Sequence, residues 1–524
     1  MPSTTASLPK NPEVETALLA TLQLHFQYPH FRRGQLDILR SVLDNHDALA
    51  VMPTGGGKSL CYQIPALHRP GIVIVVSPLI ALMRDQVSSL KARGIAAACL
   101  HTGQTLAEKQ EVFDEMKRAE RFLLYLSPER VQKPGFASWI QRQQISLFAI
   151  DEAHCVSQWG PEFREDYHRL RLLRELRPEV PILALTASAT PQVLRDIARQ
   201  LELREPDKHI YGFYRPTLFY QVEFCENDLQ KRAMLRQALG QYPEGKVLVY
   251  CGTRNQCETL VEEFSQEQTG VDYYHAGLET EKRHQVQEDF TQGRTRILFA
   301  TNAFGMGVDH PDIRLVVHYQ MPANIESYYQ EMGRAGRDGA DATCLLLYSK
   351  RDKGLHAYFI TRSEAEEQHI QKRWRALDTI VQFAEGGECR HSGILTYFRD
   401  STRVGACGHC DICAPHSERR VVLPAQDAPI PSSKKSKKGK VFLSEALSVE
   451  GEGRYQVLKA WRKQFAASKD VPAFLVFSNK TLHDLSQRNP QNLTELARVY
   501  GLGPQKIEAF GAELLETLME CASA

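Results

Sequence analysis

The sequence predicts an α/β protein: two domains built on parallel sheets, then a helical subdomain carrying a group of cysteines, then a small all-α domain. Three observations predict it. Short continuous apolar runs alternate with longer helical stretches in two successive blocks, the pattern of strands covered on both faces by crossover helices. Four cysteines crowd between residues 389 and 413, whereas the others are scattered. Beyond a stretch rich in Pro, Ser and Lys the pattern is helical, broken at Pro472, Pro490 and Gly501 to Gly503.

In the first block the expected strands are Ala48–Val51, Ile72–Val76, Arg121–Leu126, Leu147–Ile150 and Ile182–Leu185. In the second they are Lys246–Tyr250, Val271–Tyr274, Arg296–Phe299, Leu315–His318 and Thr343–Leu347, with the joint between blocks near residues 204–220. A helix is expected over Glu364–Ala384, with Ile370, Trp374, Leu377 and Val381 on one face. A chain of 524 residues has room for several domains of about 100–200 residues. The expected boundaries are 1–206 and 207–350 for the two sheet domains, 351–415 for the cysteine-bearing subdomain, 416–450 for a linker and 451–524 for the last domain. The linker carries Lys434, Lys435, Lys437, Lys438 and Lys440.

The formal net charge of +1 leaves the partners open, because a basic groove is easily balanced by acidic surface elsewhere. No run approaches the ~18 apolar residues of a membrane span, and residues 1–20 lack a basic start followed by an apolar core. Neither a membrane segment nor a secretory signal is therefore expected, and the cysteine group reads as a metal site rather than a disulfide framework.

Strand Ala48–Val51 runs into Met52-Pro53-Thr54-Gly55-Gly56-Gly57-Lys58-Ser59. Glycines let backbone amides turn toward phosphates, and a helix starting near Lys58 adds its dipole. In such a loop Lys58 reaches the β- and γ-phosphates of ATP and Ser59 ligates Mg²⁺. Met52 stands where the strict pattern has glycine, and taken alone the stretch could be a glycine-rich turn. A second element strengthens the reading. Strand Leu147–Ile150 delivers Asp151 and Glu152 to its C-terminal end, the place where open parallel sheets bind ligands. Asp151 would hold Mg²⁺ through water, and Glu152 would orient and deprotonate the attacking water.

With these residues in place, the chain resembles superfamily-two helicases, and within them the RecQ family, over residues 20–415. The sheet domains are then expected to be RecA-like. The stretch Tyr28-Pro29-His30-Phe31-Arg32-Arg33-Gly34-Gln35 looks like the RecQ adenine motif. The resemblance assigns Tyr28, Arg32 and Gln35 to the base: Tyr28 stacks, and the Gln35 amide donates and accepts along the base edge. Cys155 to Arg164 is similar to the aromatic-rich loop of the family, with Trp159 and Phe163 as stacking faces for DNA bases and Arg164 as a phosphate contact. Ser77 to Gln86 and Ser127 to Arg130 look like loops that grip DNA phosphates, and Thr186 to Thr190 like the coupling motif. Gln330-Glu331-Met332-Gly333-Arg334-Ala335-Gly336-Arg337 is similar to helicase motif six, which makes Arg334 and Arg337 candidate arginine fingers.

Cys389, Cys407, Cys410 and Cys413 follow a C-x₁₇-C-x₂-C-x₂-C spacing. Four thiolates suit tetrahedral Zn²⁺ and leave no open position for catalysis; His391 and His409 stand near enough to replace a cysteine. The group resembles the RecQ zinc subdomain. Residues 451–520 resemble the helicase-and-RNase-D C-terminal (HRDC) domain, where Lys480, Tyr500 and Lys506 are either weak DNA contacts or ordinary solvated residues. The stretch between Cys413 and Gly453 is too short for the winged helix that the family uses on duplex DNA.

The resemblance implies an ATP-dependent DNA helicase that travels 3′-to-5′ on a single strand, using ATP, Mg²⁺ and structural Zn²⁺. Its expected partner is single-stranded, forked or tailed duplex DNA during repair and recombination. It is expected to act as a monomer in the cytoplasm of a bacterium, at the nucleoid, or in the nucleus of a eukaryote. The competing readings are an RNA helicase of the DEAH type and a strand-annealing factor whose ATPase only switches its grip.

Overall fold

The computed structural model describes residues 12–53, 55–157, 164–305, 310–362, 367–400, 402–423, 447–469 and 473–523. It divides into two compact units. The first holds residues 1–213 together with Ala303–Pro311 and Tyr329–Asp338, and the second holds the remainder.

The first unit is built on a parallel sheet of β1 (Ala48–Val51), β2 (Gly71–Val76), β3 (Ala97–Leu100), β4 (Arg121–Leu126), β5 (Ile145–Ile150), β6 (Ile182–Thr186) and β7 (Asp207–Ile210). The strand order is β3-β4-β2-β5-β6-β1-β7. Val73, Val75, Leu147, Ala149, Leu183 and Leu185 are buried on one face, against helices Gln35–Leu43 and Leu60–His68 among others. Apolar residues in unbroken runs suit strands buried on both faces. Asp47 anchors the start of β1: its side chain is fully buried, accepts from the Ile182 amide at 2.8 Å and the Arg204 amide at 2.6 Å, and pairs with Arg174. The order sets the C-terminal ends of β5, β6 and β1 side by side, so the phosphate loop, the acid pair and Thr186 meet at one sheet edge.

The second unit holds a six-stranded parallel sheet of β8 (Leu218–Phe224), β9 (Lys246–Tyr250), β10 (Val271–Tyr274), β11 (Ile297–Ala300), β12 (Ile313–His318) and β13 (Ala342–Tyr348), ordered β10-β11-β9-β12-β13-β8. Helices Lys350–Thr361, Glu367–Glu385 and Arg390–Tyr397 follow. Leu377 and Val381 are buried on the expected face of the second of these. Residues 417–423 lie against this sheet: the Gln221 amide bonds the Val421 backbone in both directions, at 2.7 and 2.9 Å, and Val421 is fully buried. Part of the stretch expected as linker, up to Leu423, thus packs on this sheet, and residues 424–446 with their five lysines lie outside the described residues.

Helices Val449–Ser468, Ala473–Val476, Asn479–Arg488, Leu493–Leu496 and Pro504–Ser523 close over Leu458, Phe477, Leu482, Leu485, Leu514 and Leu518. Within the second unit this helical domain is joined to the cysteine-bearing subdomain through Arg462. That side chain is 2% exposed and donates to the Phe477 carbonyl at 2.8 Å and to Asn479 Oδ1 at 2.7 Å, with Glu388 Oε1 at 3.4 Å.

Three strands were not expected from the sequence, each for a visible reason. β3 is Ala-Ala-Cys-Leu, whose small residues carry little strand preference. β7 is the polar Asp-Lys-His-Ile on a sheet edge. β8 begins at the end of the stretch read as the joint between blocks and runs beyond it.

Candidate ATPase and zinc sites

Val51 ends β1, and the loop of residues 52–59 leads into helix Leu60–His68. Gly55 and Gly57 both have φ of +77°, a conformation that favours glycine. Close approach excludes side chains there as well. A Cβ on Gly57 would come within 2.4 Å of Gln35 Nε2, and one on Gly55 within 3.0 Å of Arg337 Cγ. Gly56 turns the loop, its amide bonded to the Pro53 carbonyl at 2.9 Å; Thr54 lies outside the described residues.

A cavity of about 750 Å³ opens over the loop, and its lining belongs to the first unit. Gly55, Gly57, Lys58 and Ser59 line its floor, Tyr28, Arg32 and Gln35 another part of the wall, and Asp151, Glu152, Arg334 and Arg337 the remainder. The segment Tyr329–Asp338, distant in sequence, thus shares a cavity with the phosphate loop.

Gln35 is already engaged. Its Oε1 accepts from the Arg32 amide at 2.8 Å, and its Nε2 donates to the carbonyls of Gly57 and Gly56 at 3.0 and 3.3 Å. An amide nitrogen has two protons, so pairing with a base edge requires Nε2 to release one loop carbonyl. Arg32 also donates to the Gly55 carbonyl. Both residues therefore brace the phosphate loop.

Asp151 and Glu152 follow β5. The Asp151 carbonyl accepts from the hydroxyl of Tyr167, a fully buried residue, at 3.0 Å. Glu152 has φ of +47° and ψ of +46°, which for a residue with a side chain is a strained left-handed geometry held by its surroundings. Its Oε2 lies 3.3 Å from His154 Nδ1, which lies 2.9 Å from the Thr186 hydroxyl. Burial pushes the Asp151 carboxyl above the usual range, reinforced by Glu152 and opposed by Lys58. Glu152 feels the same burial, yet Lys58 and then His154 and Arg334 hold it below the usual range. Adjacent carboxyls thus have opposite proton affinities.

Of the expected DNA contacts, Trp159 and Phe163 lie outside the described residues. Arg164 donates from its backbone to the Cys155 carbonyl at 3.0 Å and from its guanidinium to the Pro78 carbonyl at 3.3 Å, so part of its donor set is used within the protein. Ser77 and Ser127 stand at the ends of β2 and β4, on the same sheet edge. In the helical C-terminal domain Lys506 is half-buried beside Asp378, and burial pulls its pKa down to about 8. The side chain of Lys480 is not among those described.

The sulfur atoms of Cys389, Cys407, Cys410 and Cys413 all lie within 4.8 Å of one another. Four Zn–S bonds of about 2.3 Å in a tetrahedron require this kind of spacing. Backbone amides of Ser392, His409 and Cys413 point at the sulfurs of Cys389, Cys407 and Cys410 at 3.5, 3.3 and 3.4 Å, which favours thiolates. The donor set thus fits zinc. Sequence reasoning missed the pair that holds the ligands in place. Arg390 and Asp411, each adjacent to a ligand cysteine, form a buried two-point ion pair at 2.9 and 3.0 Å. Asp411 also accepts from the Val222 amide of β8 at 3.1 Å.

Four family profiles match in chain order: "DEAD/DEAH box helicase" at residues 32–197, "Helicase conserved C-terminal domain" at 230–339, "RecQ zinc-binding" at 350–414 and "HRDC domain" at 451–518. The chain is 33% identical to an "ATP-dependent DNA helicase RecQ" of Pasteurella multocida over 604 residues, covering 97% of this chain and 94% of that relative. It is 34% identical to the protein of the same description from Bacillus subtilis, covering 95% and 98%. The chain belongs to the RecQ family of ATP-dependent DNA helicases.

A RecQ of Haemophilus influenzae is 41% identical over 397 residues, but this chain spans 63% of its length. The alignment with the Pasteurella RecQ runs over more positions than the 524 residues of this chain, so that relative carries stretches absent here. Among solved structures the fold is similar to the Mycobacterium smegmatis helicase Lhr bound to ssDNA and AMP-PNP. That match has a TM-score of 0.53 and 17% identity, and covers 72% of this chain and 52% of that one. The Saccharomyces cerevisiae Dbp5 bound to RNA and ADP BeF3 matches with a TM-score of 0.51 at 18% identity, covering 69% and 97%. At such identity these two speak for the fold alone. No helix among the described residues is long and apolar enough to cross a membrane.

Proposed function

We propose that this RecQ-family chain couples Mg-ATP hydrolysis to 3′-to-5′ travel on single-stranded DNA and so opens tailed or forked duplexes during repair and recombination. One observation carries the reading: Lys58, Glu152, Arg334 and Arg337 line a single cavity over a phosphate loop.

In this reading Gly55 to Lys58 cradle the phosphates, with Thr54 contributing to the loop, and Tyr28, Arg32 and Gln35 receive the base. Ser59 and Asp151 are the hard oxygen donors that would hold Mg²⁺, whose charge offsets that of the β- and γ-phosphates. Glu152 stays ionised beside Lys58 and orients the attacking water, taking its proton. Arg337, packed against Gly55, meets charge developing at the γ-phosphate, and Arg334 stands with it. Trp159 and Phe163 stack on bases and Arg164 reads the backbone. Cys389, Cys407, Cys410 and Cys413 hold a structural Zn²⁺ that takes no part in hydrolysis. The chain acts as a monomer in the compartment that holds the DNA, the cytoplasm in a bacterium.

The test is strand displacement on 3′-tailed, 5′-tailed, forked and blunt duplexes, with hydrolysis followed in DNA and in RNA. Opening of 3′-tailed and forked duplexes with DNA-stimulated hydrolysis is expected. Stimulation by RNA alone, or hydrolysis without displacement of any substrate, would overturn the reading.

A further inference from the structure

Two ligand groups overlap at the zinc site. Besides the four cysteines, a nitrogen of His391, the sulfur of Cys407 and a nitrogen of His409 lie within 4.8 Å of one another, so Cys407 belongs to both sets. The two imidazoles are held together, with ring centroids 4.4 Å apart. Tyr220 stacks on His391 at 4.0 Å and 8°, and Tyr214 packs edge-on against the same ring at 5.5 Å.

The hydrogen bonding of His391 assigns its free nitrogen. Nε2 faces the Arg215 carbonyl at 3.2 Å. A carbonyl only accepts, so Nε2 carries the proton and Nδ1 keeps its lone pair. This ring is 1% exposed, and Nδ1 has no hydrogen-bond partner; nor does Nε2 of His409. A buried acceptor without a donor is costly. Giving one N–H to a backbone carbonyl is the arrangement by which proteins orient a metal-binding histidine, and a nitrogen of this ring lies within 4.8 Å of the Cys407 sulfur. Cys407, unlike Cys389 and Cys410, is partly exposed.

From this geometry we infer that His391 and His409 are reserve zinc ligands, able to take the coordination position of Cys407 when that thiolate is lost. Zinc takes nitrogen and sulfur interchangeably in closed tetrahedral sites, with Zn–N bonds slightly shorter than Zn–S. A three-cysteine, one-histidine set therefore needs one of these rings to move from beside Cys407 into its position. No such pair serves Cys410 or Cys413, because among the described residues Cys407 is the cysteine shared by the two sets. The inference rests on the four-cysteine zinc reading and adds a graded response to loss of single ligands.

The experiment is elemental analysis of the full-length chain after purification in zinc, for the unsubstituted protein and for C407A, C410A, C413A and C407A/H391N/H409N. About one zinc per chain is expected in the unsubstituted protein and in C407A, with C407A as soluble as the parent. Close to none is expected in C410A, C413A and the triple variant. Cobalt-loaded C407A should show tetrahedral d–d bands shifted to shorter wavelength, with about three quarters of the parent's thiolate-to-metal absorption. A zinc-free or insoluble C407A beside a zinc-loaded parent overturns the reserve while leaving the four-cysteine site standing. A C407A cobalt spectrum unchanged by H391N/H409N overturns it as well. A zinc-free parent would instead remove the underlying zinc site.

Discussion

Gln330 donates from Nε2 to the hydroxyl of Ser188 across 3.0 Å. Ser188 is 1% exposed, its amide faces the Thr186 hydroxyl at 3.4 Å, and that hydroxyl meets His154, the neighbour of Glu152. A continuous polar chain therefore runs from the segment Tyr329–Asp338 to the acid pair. Removing either end should act on the same link. S188A and Q330A are each expected to lower DNA-stimulated hydrolysis about fivefold, the worth of roughly one net hydrogen bond of ~1 kcal/mol. The double variant should be little worse than either single one. Steady-state rates at saturating ATP and single-stranded DNA check this; multiplied losses in the double variant would show that the two residues act separately.

Lys58 and Glu152 should separate binding from chemistry. K58A removes phosphate charge and is expected to weaken ATP binding and abolish hydrolysis. E152Q keeps shape and hydrogen-bonding reach but cannot take a proton, so it should bind ATP and lose about 10²–10⁴-fold in rate. Fluorescent-nucleotide titration beside a hydrolysis assay distinguishes them. An E152Q that hydrolyses at the parent rate would move the base elsewhere.

Asp151 should trade stability for activity. Its folded-state pKa lies above the usual carboxylate value because it is buried next to Glu152. For an acid shifted upward, ionisation costs the fold free energy. That cost is absent below about pH 4, where the carboxyl is protonated folded or unfolded, and grows as pH rises toward neutrality. In chelator, without nucleotide, D151N should therefore melt higher than the parent at pH 7.5, and the two should converge at pH 4. Melting curves across this range check the sign, and hydrolysis by D151N should be lost throughout.

Arg462 is the buried charge that ties the HRDC helices to the stretch preceding Cys389. R462A removes its bonds to the Phe477 carbonyl and Asn479 and leaves Glu388 without this cation. A loss of about 1.5–3 kcal/mol is expected, the range for hydrogen bonds to charged groups. Hydrogen exchange should rise in Asn479–Arg488 before it rises in either sheet. R462K should not restore it, since an ammonium cannot span the same acceptors.

The linker and HRDC region should contribute salt-sensitive DNA binding. Because Val421 is bonded to Gln221 and Leu423 packs against the same core, the cut belongs after Leu423. A chain ending there should remain a DNA-stimulated ATPase with weaker affinity and a shallower salt dependence, losing roughly 0.7 in slope per phosphate released on single strands. Superimposable salt titrations for the two chains would make the tail a passenger.

Much of this protein was legible in one dimension because its determinants are local. Apolar runs bounded by glycine and acid give ten strands and place Lys58, Asp151 and Glu152 at strand ends; the cysteine spacing carries its ligand set within 25 residues. What only the tertiary structure decided depends on chain segments meeting at a distance. Gln35 bracing the phosphate loop, Arg337 against Gly55, Gln330 on Ser188, and Tyr220 stacked on His391 leave no periodicity in the sequence. The small strand β3 and the polar edge strand β7 fall in the same class. Their composition says little, and they become strands because a neighbouring strand satisfies their backbone hydrogen bonds.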